Sequence, residues 1–168
     1  KGPVLRAVRA QAYLTRVEHW MTDAYRTSST TAPREYAMGS DASSEVTGGE
    51  VEVEAGPFTA GVEVVRQEWS TTTMLAGMGY QPQYSLPGVV SDTVGAYVEY
   101  VRPLSESVVL QAGARWDETD SQADPELANA NLYFAYKSTR EVGNVASEPS
   151  GNLRLTVTPA AGLEISLG

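Results

Sequence analysis

The chain has 168 residues, no cysteine, 12 lysine plus arginine against 21 aspartate plus glutamate, and a formal net charge of -9. Without thiols there is no disulfide framework, thiolate zinc site or Cys nucleophile, and the acidic balance repels a phosphate backbone, which sets nucleic acid aside as a partner. No run reaches the roughly 18 to 20 apolar residues that a membrane helix needs, and mean hydropathy is -0.25, so a helical membrane protein is excluded.

The start, "KGPVLRAVRAQAY", has neither the apolar run nor the small-residue cleavage site of a secretory leader. The chain is therefore expected to be mature or to lack its beginning. From Val8 to Thr15 the hydrophobicity has period two, with Val8, Ala10, Ala12 and Leu14 opposing Arg9, Gln11, Tyr13 and Thr15. "EVEVEAGPFTAGVEVV" repeats the pattern: Val51, Val53 and Ala55 oppose Glu50, Glu52 and Glu54, and beyond Gly56-Pro57, Phe58, Ala60, Val62 and Val64 oppose Thr59, Gly61 and Glu63. A second hairpin pairs Val94, Ala96, Val98 and Tyr100 with Leu110, Ala112, Ala114 and Trp116 across the "RPLSES" turn. A third runs through Leu153, Leu155 and Val157, turns at "TPAAG" and returns through Leu163, Ile165 and Leu167.

Alternation alone does not choose what covers the dry face, because sandwiches in water show it too. The connections are more selective. Tight turns at 56–57, 103–106 and 159–161 alternate with long polar segments near 18–45, 69–92 and 119–150. That asymmetry is the plan of an outer-membrane barrel, with short periplasmic turns and long extracellular loops. Trp20, Trp69 and Trp116 each fall where a strand enters a long segment, the height of an interfacial aromatic girdle. Arg9, Gln11, Glu50, Glu52, Glu54, Glu63, Glu99, Arg115, Asp117, Arg154 and Glu164 would line a wet lumen of a wide barrel. The expected fold is an all-β antiparallel up-and-down meander of about seven strands. Residues 1–168 are expected to form one partial domain of a larger transmembrane β-barrel, since single-chain bacterial barrels have even strand numbers.

Five phrases, "VEHWMTDAYR", "TGGEVEVEAGPFTAGVEVVRQEW", "DTVGAYVEYVRPLSESVVLQAGARWDETDS", "LYFAYKSTR" and "PSGNLRLTVTPAAGLEISLG", together resemble the barrel domain of bacterial TonB-dependent outer-membrane receptors. They span most of the chain in the order those receptors show. The resemblance implies a plugged barrel of about 22 strands, of which this chain holds about a third. It also implies uptake of an iron-siderophore, cobalamin or copper, with outer-membrane lipid around the wall and the TonB complex as partner of the intact receptor. Neither a plug domain nor a TonB-contacting box is present in these residues.

The single histidine, His19, has no nucleophile-elbow motif to serve, so no enzyme activity and no cofactor are expected. His19 and Met21, two apart on an extended segment, face one way and offer imidazole and thioether, donors that Cu(I) accepts. Met38, Met74 and Met78 are placed in long loops, as adaptable filler rather than metal ligands, and no metal site is assigned. "DETDSQAD", residues 117–124, reads as a solvated acidic loop without an EF-hand glycine. Within "GMGYQPQYSLPG", Tyr80 and Tyr84 form a stiff loop apex or stack on a flat ligand. "YFAYKS", from Tyr133 to Ser138, reads as a short strand extending the wall, with Tyr133 a candidate for cargo contact. The ligand-contact candidates are thus His19, Met21, Tyr80, Tyr84 and Tyr133. The rival reading is a β-sandwich binding or adhesion module with a dry core between two sheets.

Overall fold

A computed structural model of the chain describes residues 4–29, 31, 36–76, 83–160 and 163–167. Seven strands, β1 (Leu5–Thr22), β2 (Ala37–Ala55), β3 (Phe58–Ala76), β4 (Gln83–Ser105), β5 (Val108–Gln122), β6 (Gly143–Ala160) and β7 (Leu163–Leu167), form one antiparallel sheet in sequence order. Each strand pairs with the next in the chain, and among the described residues β1 and β7 do not pair, so the sheet is open. The expected meander is present. Gly56 has φ 61°, the left-handed conformation that the first central position of a primed hairpin turn requires, and it lets β2 return directly into β3.

The strands run far past the alternating segments. β1 and β2 stay paired up to Thr22 and Gly39, β2 and β3 up to Ala37 and Ala76, and β5 and β6 up to Gln122 and Gly143. The three long loops expected over 18–45, 69–92 and 119–150 are therefore partly strand, 69–92 for the most part, and the β1–β2 and β5–β6 connections shrink to 23–36 and 123–142. The acidic loop expected at 117–124 is likewise β5 as far as Gln122. Nor is 103–106 the turn, because β4 continues to Ser105 and the chain reverses at Glu106 and Ser107. The physical reason is common to all of these. Strand pairing needs only backbone groups, and where both faces meet water the apolar alternation vanishes while the ladder persists.

Register places every segment of the dry alternation on one face. One transverse row runs Val8, Val53, Ala60, Val98, Ala114, and the next runs Ala10, Val51, Val62, Ala96, Trp116. The apolar band reaches Leu14 on β1, Val64 and Val94 one row lower on β3 and β4, and Trp116 a further row lower on β5. Its lower limit descends likewise, from Ala55 and Phe58 through Leu110 and Leu155 to Ile165. A level band that descends through the register means strands tilted to it, the stagger that closure into a cylinder demands.

No second layer covers this face. Most side chains of the band are exposed, Val53 at 37% and Leu153 at 65% among them, Ala55, Leu110 and Leu155 are half-buried, and the buried apolar core of the described residues is Ala123 alone. "YFAYKS" is not a strand: Ala130–Lys137 is a helix, α1, within the β5–β6 connection. β5 and β6 already pair with each other up to Gln122 and Gly143, so the segment between them closes its backbone bonds locally. Asn129 precedes the first helical residue, where that residue type favours an N-cap, and Ser138 at φ 57° ends the helix by donating its N–H to the Phe134 carbonyl at 3.0 Å.

Candidate functional surfaces of the sheet

The face opposite the band carries a connected charge network at the short-turn end. Arg9 on β1 donates to Glu52 at 2.8 Å and also to Glu54, while Gln11 donates to Glu50 at 2.7 Å. The Tyr97 hydroxyl on β4 lies 2.8 Å from both Glu50 and Glu52, so its one hydrogen alternates between two carboxylates. On β5, Arg115 joins Glu63 at 2.9 Å and Asp117 at 2.7 Å, with its guanidinium 5.9 Å from the Tyr97 ring centre. The expected polar lining is thus a lattice of bonds spanning β1 to β5 rather than a set of separate charges. Glycines make it flat. A Cβ on Gly61 would stand 2.5 Å from Tyr97 Cζ, and one on Gly48 would collide with the Tyr13 ring, so each tyrosine lies down across the neighbouring strand instead of standing off the sheet.

Farther along, the same face changes character. Val17, Ser44, Trp69 and Val89 form one row, and beyond it come His19 opposite Ala42 and Met21 opposite Ser40. The two donors share a face, as their spacing predicts, but on β1 and not in a loop. Met38 is on β2 and on this face beside them, whereas Met74, on β3, lies over Gly39 on the opposite face with Cγ 3.3 Å from where its Cβ would be. Neither is a loop residue, and Met78 lies outside the described residues. Tyr84 belongs to β4 and pairs with Thr72 on the apolar-face side, the face opposite that of His19 and Met21, although His19 and Tyr84 both line one groove. A register shift between Trp69 and Thr72, with Gly88 at φ 54°, hides that facing from the sequence. Tyr80 lies outside the described residues, and Tyr133 is in α1.

The tryptophans divide. Trp116 stands at the upper edge of the band and donates its indole N–H to Ser147 Oγ at 2.8 Å, one row toward the loops, as a girdle residue should. Trp69 is on the other face, and Trp20 lies beyond Arg16 and Glu18, well above the band, so neither occupies the expected girdle. Parity counted from Val64 would have exposed the first error. Above the band Arg16 donates from Nε to Glu45 at 2.8 Å, and Arg66 meets Glu68 at 2.9 Å and Asp92 at 3.4 Å. Both guanidinium groups are held above their ordinary pKa, Arg16 chiefly by its bond to Glu45 and Arg66 chiefly by its bond to Glu68.

No family model matches the sequence, and no curated protein does. Among solved structures the sheet is similar to the copper transporter OprC, with a TM-score of 0.73 over 94% of this chain at 21% identity. The chain spans 26% of that protein's length. At this identity the likeness carries the fold alone, a seven-stranded antiparallel meander similar to part of that protein.

Proposed function

We propose that the chain is part of the wall of a TonB-dependent outer-membrane receptor that takes up a scarce metal as an ion or chelate. The observation that carries this reading is the exposed apolar band, continuous across the strands and tilted to their register. On this reading the band faces lipid acyl chains, the charge network of Arg9, Glu52, Tyr97 and Arg115 faces the lumen, and the strand ends at Thr22, Ala37, Ala76, Gln83, Gln122 and Gly143 lie on the outer side. The intact receptor would draw energy from the TonB complex. A sandwich in water needs a second sheet over the band, and the described strands make one sheet, so that alternative gains no support.

Among iron-siderophore, cobalamin and copper, copper has the most support from this chain's residues. His19, Met21 and Met38 present imidazole and thioether donors on the lumen face near the outer end. The role proposed is transport and not catalysis. The test is copper accumulation by cells carrying the full-length protein. His19→Ala combined with Met21→Leu should lower copper affinity by about tenfold or more. Unchanged copper uptake with reduced uptake of an iron chelate would reassign the cargo, and extraction of the protein without detergent would contradict the wall itself.

A further inference from the structure

Where β1 ends, Asp23 closes the sheet with its side chain rather than its main chain. Its N–H donates to the Met38 carbonyl at 3.1 Å, which makes the two residues a hydrogen-bonded antiparallel pair, and in a regular pair the Met38 N–H would return to the Asp23 carbonyl. That N–H instead donates to Oδ1 of Asp23 at 2.7 Å. The Asp23 carbonyl is turned into the connection, where it accepts from the Arg26 N–H at 2.9 Å and from the hydroxyl of buried Ser29 at 2.7 Å. Thr22 Oγ1 adds a bond of 3.3 Å to the Met38 carbonyl. One residue thus starts the turn and completes the ladder.

Met38 is what that last ladder bond holds. Met21 pairs with Ser40, so Met38, two residues away along β2, is its diagonal neighbour on the same face, within reach of a long side chain. Met21 and Met38 are 58% and 43% exposed. Gly39, between Met38 and Ser40, adds no side chain to stiffen the strand. Without the carboxylate the Met38 N–H has no acceptor on β1, and the last row of the ladder rests on the bonds to the Met38 carbonyl. We propose that Asp23 is a positioning residue for the metal: it holds Met38 beside Met21 so that both thioethers meet one Cu(I) ion. This inference rests on the copper reading of His19, Met21 and Met38. Asp23 is not assigned as a ligand, because its Oδ1 is committed to the Met38 N–H and Cu(I) selects thioether over carboxylate.

The experiment measures Cu(I) affinity of the full-length protein by competition with a chromogenic chelator, alongside hydrogen–deuterium exchange of the peptide that contains Met38. Asp23→Ala should weaken Cu(I) binding about tenfold and speed exchange at Met38. Asp23→Asn keeps an oxygen acceptor while removing the charge, and should restore both to near wild type. In a Met38→Leu background, Asp23→Ala should weaken binding no further, because it acts through that thioether. Wild-type affinity in Asp23→Ala, an Asp23→Asn variant as weak as Asp23→Ala, or full additivity with Met38→Leu overturns the positioning role and leaves the copper site in place. A wild-type protein that does not bind Cu(I) overturns both.

Discussion

Tyr97 shows how a single residue organises the polar face. Its ring occupies the space that a side chain at position 61 would fill, and from there its hydroxyl reaches Glu50 and Glu52 on a strand that is not its neighbour. Gly61→Ala should swing the ring away and cost about 1 to 3 kcal/mol of stability, read from urea titration of the protein in lipid vesicles. Tyr97→Phe keeps the ring packing but removes the hydroxyl, and should cost roughly 1 kcal/mol. At this scale the sequence was legible wherever parity held. His19 and Met21 sit on one face as their spacing requires, and the charged residues of "EVEVEAGPFTAGVEVV" line one side. What failed were assignments that counted position along a segment instead of parity, as with Trp69, or that read a strand without apolar alternation as a loop, as with Tyr84 on β4.

At the scale of elements, the division into a middle with unlike faces and an outer part with two wet faces explains which strand segments were readable. Residues 8–14, 50–64 and 93–117 alternate because one side must be apolar. "STTT" at 70–73 gives no such signal, yet β3 runs through it, paired to β2 up to Ala76. The energetic counterpart is testable by moving one charge along β3. Val62→Arg, in the middle of the band, should destabilise the sheet in lipid by about 2 to 4 kcal/mol, whereas Thr72→Arg, above the charged belt on the same face, should cost about 0 to 1. Equal costs at both positions would remove the distinction between a lipid-facing and a water-facing part. α1 offers a separate check: Ser138→Gly relieves a side chain held at φ 57°, and should stabilise the helix end by about 0.5 to 1 kcal/mol, read as slower proteolysis within 123–142.

For the whole molecule, the absence of a packed interior among the described residues is the controlling fact. A sheet with seven strands in sequence order, bonded charge on one side and exposed Val, Ala and Leu on the other, cannot be stabilised in water by burial it does not have. On the proposed reading, hydrocarbon supplies the missing layer. The proposed wall and the proposed metal cargo near His19 and Met21 both depend on that assignment of sides. Two tryptophans test it most directly, because Trp116 and Trp69 point to opposite faces. Variants of the full-length protein that retain one of these tryptophans each would be placed in vesicles of acyl-brominated lipid and exposed separately to aqueous acrylamide. Strong quenching of Trp116 by the brominated chains, with Trp69 quenched by acrylamide instead, is the predicted result. A Trp116 shielded from both quenchers, or both tryptophans responding alike to the brominated lipid, would contradict it.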